Sequence, residues 1–539
     1  MRGAVSGWEE ARPAYSERVI HKRVEKVTIK YVCISDIHAG VSTSLATHII
    51  PEEDYRPDYG SSSHVATAFG KAFRAFLRAH NAGSAAIKAD YIPKADERPQ
   101  LILMGDVLDL AFCKRDDATE ASIAFLRGML FDQRAKSGEH LLNKNVIFLP
   151  GNHDHALWTA ARMVNEAKTT LEAKDAADLP KYLDATKAFL AATEAEQDRE
   201  RIPSPLMDAI ISQAGFAGKT DLRYPNFALD APELDRSLIF HHGHFVESTY
   251  RIMSTLQNTL MGVNRQSLTV EQLSRENANF IDFAFSSLGN ASSLGRDAEF
   301  MFQSLLSGNA LQRVKSRASR AMERYITEKI PMGGDMSVQQ IVRMLIVLLM
   351  DANLGAYADQ ERYGQTEYLS EDSINSLIWY IADPTRMQIE AERDRTARDT
   401  SFIFGHTHKP FEDQIVADGY DLPVNVYNTG GWILDGMRLD TKEGASMVLI
   451  DEYLNVVSVR LFGVPTNGKM VPAYATNMSR TDHHAGDFLA EVQGLLEQTK
   501  DHWDRLTEVA HEEYLVRQQV ILREIEKDDL LGRTEGAVV

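Results

Sequence analysis

The sequence predicts an α/β fold in which strands and helices alternate along the chain. Short runs rich in Val, Ile, Leu and Phe are each followed at once by a polar loop, and segments with helical spacing of apolar residues separate the first three runs. The loops after these runs carry Asp, Asn and His residues. In an α/β sheet such loops gather at the carboxyl ends of the strands, where ligands bind.

Composition is that of a globular protein, with 539 residues, 44% of them hydrophobic and 25% charged. The length allows one large elaborated domain or a domain plus smaller modules. The net charge of −19 repels polyphosphate backbones and disfavours nucleic acid as a partner. The two cysteines cannot form a disulfide framework and fit a reducing compartment. The N-terminus lacks an apolar signal core, and the longest apolar run, within residues 341–350, is shorter than the roughly 20 residues that cross a bilayer. We therefore expect a cytoplasmic protein without a membrane span.

The first third of the chain contains three predicted strands. The first, Val27–Ser35, follows a polar segment of residues 1–26, and the others are Leu101–Met104 and Asn145–Leu149. Helical spacing predicts helices between them, near residues 65–80 and 119–131. The strands are followed by three sets of polar side chains: Asp36 and His38, then Asp106 and Asp109, then Asn152, His153 and Asp154.

Beyond Asp154 the alternation breaks. Residues 155–236 are rich in Ala, Lys and Glu and predict a helical insertion. A fourth strand, Ser237–Phe240, then leads into three histidines, His241, His242 and His244. Residues 245–399 are too many for a loop and predict a second, mostly helical insertion.

The sheet pattern resumes at Thr400–Phe404, which is followed by His406 and His408. A strand at Val424–Tyr427 and a hairpin within residues 446–462 complete the predicted core. Residues 463–539 are predicted to form a linker and amphipathic C-terminal helices.

The side chains after these strands mix oxygen and imidazole donors, which suit Mn, Zn or Fe and differ from the thiolates of structural zinc sites. Seven donors are too many for one tetrahedral ion and about right for two ions that share a carboxylate. The sequence therefore predicts a two-metal site built from Asp36, His38, Asp106, Asn152, a histidine of the 241–244 block, His406 and His408.

The order and spacing of the motifs Asp-x-His, Gly-Asp-x-x-Asp, Gly-Asn-His-Asp, His-Gly-His and Gly-His-Thr-His resemble the calcineurin-like metallophosphoesterase superfamily. The resemblance covers residues 27–154, 237–244 and 400–462, and it implies a core of two facing sheets flanked by helices. The insertions 155–236 and 245–399 would then form a cap over the metal site.

The motifs differ from those of the Ser/Thr protein phosphatase branch, because Leu110 stands where that branch has an arginine after the second motif and Pro150 where it has one before the third. The stretch Asn428–Trp432 instead resembles one in bacterial enzymes of the UDP-diacylglucosamine pyrophosphohydrolase type, from which Gly431 departs. The resemblance is therefore to bacterial small-molecule enzymes.

The resemblance also implies a role for each residue. Asp36, His38 and His408 would hold one ion, Asp106 would bridge, and Asn152, His242 and His406 would hold the second, with His241 and His244 left open as alternatives to His242. His153 would be the general acid, oriented by Asp109 or by Asp154. The implied reaction is hydrolysis of a phosphomonoester or phosphodiester by a metal-bound hydroxide.

A cap favours a small or medium-sized phosphoester substrate, because a lid restricts access to the site. Two alternatives stay open: a DNA or RNA nuclease of the same superfamily, and a non-catalytic scaffold that uses the fold for protein binding. The negative charge disfavours the nuclease, and the complete ligand set disfavours the scaffold. Self-association through the helical insertions or the C-terminal helices is a further expectation.

Overall fold

The computed structural model describes residues 28–82, 98–130, 141–173, 182–191, 193–216, 218–261, 267–286, 368–435, 442–464, 470–478 and 483–535. In this part of the chain the protein is a mixed α/β structure with several sheets and a helical C-terminal region, which confirms the predicted class. The predicted N-terminal segment, residues 1–26, and the apolar stretch at residues 341–350 lie outside the described residues. None of the described helices is long and apolar enough to cross a membrane.

The strands are numbered in chain order. They are β1 (Ile29–Ile34), β2 (Thr47–Ile50), β3 (Arg56–Ser62), β4 (Gln100–Met104), β5 (Asn145–Leu149), β6 (Lys219–Leu222), β7 (Asn226–Ala231), β8 (Arg236–His241), β9 (Asp399–Phe404), β10 (Phe411–Ile415), β11 (Val424–Asn428), β12 (Gly444–Asp451), β13 (Val456–Gly463) and β14 (Tyr474–Thr476).

The α-helices follow the same convention. They are α1 (His64–Ala82), α2 (Arg115–Leu130), α3 (Ala156–Glu172), α4 (Glu194–Glu200), α5 (Pro205–Gln213), α6 (Ile252–Met261), α7 (Val270–Ile281), α8 (Glu371–Tyr380), α9 (Arg386–Arg393), α10 (His483–Gln498) and α11 (Lys500–Glu535). Short 3₁₀ turns lie at His244–Val246 and Ser248–Arg251, and π-helical turns at Asp282–Ser286 and Ile381–Thr385.

Two large sheets form the centre of the fold. The larger has the order β14-β13-β12-β1-β4-β5-β6, and the smaller has the order β10-β11-β9-β8-β7. Strands β1, β4, β5 and β6 are parallel neighbours, as are β8, β9 and β11. One buried apolar cluster takes side chains from both sheets, among them Ile102 and Ile147 from the larger and Phe240 and Ile403 from the smaller. The two sheets therefore face each other across a shared core.

Helices α1, α2 and α11 pack on the outer side of the larger sheet. Trp432, fully buried, is surrounded by the rings of Phe69 from α1, Phe125 from α2 and Phe462 from β13 at centroid distances of 5.1 to 5.3 Å. The C-terminal helix α11 contributes Arg517, which is 0% exposed and donates hydrogen bonds to the carbonyls of Ser44 and Thr47. The C-terminal helices are thus part of the main core.

The structure differs from the prediction at several short strands. Residues 155–236, predicted as a helical insertion, contain β6 and β7 in addition to helices, and these strands extend the larger and the smaller sheet. The predicted linker contains β14, and the loop after the first motif contains the hairpin β2-β3. Their sequences, such as Lys-Thr-Asp-Leu for β6, contain polar residues and aspartates of low strand propensity, so pairing with a neighbour decides the conformation.

Candidate metal centre

The loops that follow β1, β4, β5, β8 and β9 meet at one end of the two sheets. Because the first three are parallel neighbours in the larger sheet and the last two are parallel neighbours in the smaller, their carboxyl ends bring the predicted motifs together. Backbone hydrogen bonds tie the first two loops directly: Asp36 N donates to Gly105 O at 3.0 Å and His38 N donates to Asp106 O at 2.8 Å.

The backbone of these loops is unusual. Asp36, His38, Asp106, His406 and His408 all have left-handed φ angles, between 50° and 71°. Residues other than glycine rarely adopt this conformation, although Asp, Asn and His adopt it more often than others. It turns each side chain back over the strand end, and such strain is concentrated at functional sites.

Asp36, His38 and His408 form a first group of donor atoms, all within 4.8 Å of one another. The Nε2 atoms of His38 and His408 are 3.0 Å apart, and His408 Nε2 lies 3.6 Å from Asp36 Oδ1. The structure thus brings together the three residues predicted to hold one ion.

Asp106, His242 and His406 form a second group, again within 4.8 Å. His242 Nε2 lies 3.1 Å from Asp106 Oδ2 and 3.0 Å from Asn152 Oδ1, so Asn152 joins this group. Asp106 Oδ2 also lies 3.6 Å from His38 Nε2 of the first group. This carboxylate stands between the two groups, which is the place of a bridging ligand.

Hydrogen-bond partners fix the protonation of three of the histidines. His38 Nδ1 faces Asp109 Oδ2 at 2.9 Å, His408 Nδ1 faces Asp435 at 2.8 Å, and His242 Nδ1 faces the carbonyl of Met104 at 3.0 Å. Ionised carboxylates and carbonyls only accept, so each Nδ1 carries a proton. The opposite ring nitrogen, Nε2, faces the other donors of the site, and it is the atom with which each histidine would hold a metal ion.

This donor set fits metal ions. The Nε2 atoms of His38 and His408 lie 3.0 Å apart, close enough for both to hold one cation in place of the proton that a hydrogen bond between them requires. Asp106 Oδ2 is buried and makes no hydrogen bond within the described part of the chain. Buried acceptors without donors are costly unless a cation satisfies them. The buried Asp and His groups are therefore able to hold metal ions.

Electrostatics in the second group favour a cation as well. Burial would raise the pKa of Asp106, but the neighbouring histidines, His242 first among them, hold that pKa well below its ordinary value. Burial would lower the pKa of His242, but the Asp106 carboxylate outweighs it and raises the pKa to about 10. A proton on His242 and a metal ion would thus compete for the same position.

His153 and Asp109 lie beside the first group. His153 Nδ1 is 3.0 Å from Asp109 Oδ2, and its ring packs edge-on against His38 at a centroid distance of 4.7 Å. Burial would lower the pKa of His153, yet the Asp109 and Asp106 carboxylates raise it to about 9. His153 is therefore protonated at neutral pH. Asp109 contacts two histidines, whereas the sequence indicated a role toward His153 alone.

Asp154, the other predicted orienting carboxylate, has a different position. It accepts hydrogen bonds from the backbone N–H groups of Gly151 at 2.7 Å and Val107 at 2.8 Å, so it holds the second and third motif loops together. Burial, followed by the Asp106 charge, raises its pKa to about 7. The structure therefore places Asp109, and not Asp154, against His153.

The two alternatives to His242 lie outside both groups. His241 is 0% exposed and packs against aromatic rings, with Tyr380 at a centroid distance of 4.5 Å. His244 faces Tyr224, whose hydroxyl lies 3.3 Å from His244 Nε2. Of the three histidines in this block, the structure brings only His242 together with Asp106 and His406 in a donor group of the described residues.

Three residues at the site carry no motif and were missed by the sequence-based prediction. Asp435 holds His408, Glu247 Oε2 lies 3.4 Å from His406 Nε2, and the Tyr250 hydroxyl accepts a hydrogen bond from Asn152 Nδ2 at 3.0 Å. They come from the chain after Trp432 and from the start of the second insertion. Asp435 and Glu247 are acidic residues that follow a recognised motif within a few positions, and this proximity is the signal by which the sequence could have predicted them.

The stretch Asn428–Trp432 lies against the motif loops. Trp432 N donates to Asp36 O at 2.9 Å, and Asn428 Nδ2 donates to Gly405 O at 2.9 Å. A Cβ on Gly431 would lie 2.8 Å from the His408 ring. This close approach to the His408 ring favours glycine at position 431.

No protein-family model matches the chain, and no curated protein matches it. The function must therefore be inferred from the site itself: two adjacent groups of buried Asp and His side chains around one shared carboxylate, with a protonated histidine beside them.

Proposed function

We propose that the protein is a metal-dependent hydrolase that cleaves phosphomonoester or phosphodiester bonds in a small or medium-sized substrate. One observation carries the proposal: the Asp106 carboxylate, which belongs to the second donor group with His242 and His406, also lies close to His38 of the first. Two ions that share a carboxylate are a known solution for phosphoester hydrolysis. The order of the motifs supports the same conclusion through its resemblance to the calcineurin-like metallophosphoesterases.

The fold supports this family assignment. A seven-stranded and a five-stranded sheet face each other, and the site lies at the carboxyl ends of their parallel strands. The resemblance implies such a two-sheet core. We therefore propose a metallophosphoesterase-type sandwich with helical insertions.

The ligands suit Mn, Zn or Fe, because carboxylate, amide and imidazole donors are combined without thiolates. Two such ions, when bound, would neutralise phosphoryl oxygens and make water an effective nucleophile near neutral pH. Asp36, His38 and His408 would hold one ion, Asn152, His242 and His406 the other, and Asp106 both.

The chain itself would supply the proton for the leaving group. His153 is protonated because Asp109 and Asp106 raise its pKa to about 9, and its ring lies against His38 at the edge of the first group. From there it can donate to the leaving oxygen as the P–O bond breaks. Asp109 keeps the ring in place through the contact between its Oδ2 and His153 Nδ1 at 3.0 Å.

The second insertion supports a substrate of limited size. Ser286 Oγ donates to the carbonyl of Asn152 at 2.5 Å, and Phe285 packs on Tyr250 at a centroid distance of 4.6 Å. The insertion therefore contacts the loop that carries Asn152, and we expect it to limit access to the second donor group. A lid of this kind restricts access and excludes water.

The test is a hydrolysis screen of the purified protein supplied in turn with Mn, Zn and Fe. Nitrophenyl phosphate and bis-nitrophenyl phosphate separate monoesterase from diesterase activity, and phosphorylated metabolites, nucleotides and lipid phosphates identify the substrate class. His408→Ala should abolish the activity, and His502→Ala, at an exposed position on α11, should leave it unchanged. Metal-loaded protein that leaves every phosphoester intact would contradict the proposal.

A further inference from the structure

The start of the second insertion reaches back to the second donor group. Glu247 precedes the short turn Ser248–Arg251 and Tyr250 lies within it, directly after the histidine block. Glu247 Oε2 lies 3.4 Å from His406 Nε2, and the Tyr250 ring contacts the His406 ring edge-on at a centroid distance of 5.2 Å. The insertion therefore touches the ligand side chains themselves.

Tyr250 supports the Asn152 side chain. Asn152 Nδ2 donates to the Tyr250 hydroxyl at 3.0 Å, while Oδ1 faces His242 Nε2 at 3.0 Å. A side-chain amide has one donating and one accepting end, and only the oxygen end can hold a cation. The contact with Tyr250 therefore anchors the nitrogen end of the amide while the oxygen end faces the second group.

Glu247 performs the corresponding task for His406. Its side chain is only 17% exposed, and its Oε2 lies 3.4 Å from His406 Nε2. A carboxylate oxygen can only accept from a ring N–H, and a ligand histidine with one nitrogen partnered in this way offers the other, here Nδ1, to the metal.

Within the described residues, the outer partners of the first donor group come from outside the insertion. His38 is held by Asp109, in the loop after β4, and His408 is held by Asp435, after the Asn428–Trp432 stretch. Both partners belong to segments that join strands of the two central sheets. The two groups are therefore supported by different parts of the chain.

We propose that Glu247 and Tyr250 are positioning residues through which the helical insertion controls the affinity of the second metal position, while the first position does not depend on these two residues. This inference rests on the proposed two-metal function of the site. It makes the insertion part of the metal centre as well as its cover.

The experiment measures Mn²⁺ binding to chelator-treated protein by calorimetry, with electron paramagnetic resonance to count bound ions. His408→Ala removes a ligand of the first donor group and leaves the second intact. His242→Ala removes a ligand of the second and leaves the first intact. Glu247→Leu and Tyr250→Phe are each combined with both backgrounds. Loss of an outer partner typically weakens metal affinity by about 10- to 100-fold.

We expect Glu247→Leu and Tyr250→Phe to weaken Mn²⁺ binding by about 10- to 100-fold in the His408→Ala background, where the second group is intact. In the His242→Ala background, the same two changes should leave the affinity unchanged. Asp435→Asn is the matched control, because it should weaken binding only where the first group is intact. Glu247→Gln retains an acceptor and should restore much of the affinity that Glu247→Leu loses.

Equal losses in both backgrounds, or none in either, would overturn the inference. If Glu247→Leu fails to fold, Tyr250→Phe decides, since it removes a single hydroxyl group. If the unaltered protein binds no Mn²⁺, Zn²⁺ or Fe²⁺, the proposed function fails together with this inference. If the unaltered protein binds two ions but the Glu247 and Tyr250 variants bind them with the same affinity, the inference is refuted and the proposed function still stands.

Discussion

Replacing Asp109 by Asn separates two roles that one carboxylate combines. The Oδ2 atom of Asp109 lies 2.9 Å from His38 Nδ1 and 3.0 Å from His153 Nδ1, and its Oδ1 atom accepts from the backbone N–H of Phe112 at 2.9 Å. The side chain is fully buried, so no water can take its place. Asn keeps the shape but loses the charge, and its amide group would face two ring N–H groups if the contact to Phe112 is kept.

The structure sets the size of each effect. Through His38, the loss of an outer partner should weaken binding of the first ion by about 10- to 100-fold. Through His153, the largest possible loss of turnover is the whole contribution of a general acid, which is about 100- to 10,000-fold. We expect a loss of about 100-fold on a substrate with a poor leaving group, because the ring remains but its pKa falls once the carboxylate charge is gone.

The assay compares an alkyl phosphate with nitrophenyl phosphate at saturating metal. Nitrophenolate leaves with little help from an acid, so its turnover reports the metal centre, and the ratio of the two turnover numbers reports His153. Metal affinity is measured separately by calorimetry. Asp435→Asn is the control, because Asp435 contacts His408 and not His153, and it should lower metal affinity without changing the ratio.

Two results would refute this reasoning. An unchanged ratio in Asp109→Asn would show that Asp109 does not act through His153. An unchanged affinity for the first ion would show that the contact with His38 does not support a metal ligand.

Three further predictions concern other parts of the site and the fold. His153→Ala should keep two bound ions and slow turnover of the alkyl phosphate far more than that of nitrophenyl phosphate; equal slowing in the same assay would reject the general-acid role. Asp106→Asn should lose metal as well as activity, because the shared carboxylate offsets repulsion between the cations, and full occupancy by elemental analysis would exclude bridging. Arg517→Met should lower the free energy of unfolding by about 3–5 kcal/mol, since it leaves two carbonyls without this donor and leaves buried Glu513 with His64 in place of its arginine partner; Arg523→Met, at an exposed ion pair with Asp54, should cost under about 1 kcal/mol, and equal midpoints in urea would contradict this.

The sequence predicted the strands that carry the motifs well. β1, β4, β5, β8 and β9 are short, apolar and buried, and their parallel pairing makes their ends coincide. Residues such as Asp36 and His408 are far apart in the chain, but because each follows a strand directly, the topology determines where it lies. This is why the donors could be predicted to meet at one end of the strands, whereas their division into two groups was an expectation from the family resemblance.

The outer partners could not be predicted in the same way. Asp435, Glu247 and Tyr250 follow no strand end directly, and their positions depend on how loops pack on the finished core. Asp154 shows the converse: it is adjacent in sequence to His153, but the tight turn of its loop directs its carboxylate to the backbone of Gly151 and Val107. Adjacency in sequence is a poor guide to contact where the chain turns sharply.

The left-handed residues explain why these motifs contain the amino acids they do. For a residue with a Cβ this conformation costs about 1 kcal/mol or more, so five such residues together take up a large share of the roughly 5–15 kcal/mol by which proteins are stable. The loops withstand it because hydrogen bonds interlock them, as when His406 N donates to Asp36 Oδ1 at 2.8 Å. Aspartate and histidine are among the residues that tolerate a left-handed backbone best, and they are also good metal ligands. The same choice of residue therefore satisfies the backbone of each turn and the chemistry at its tip.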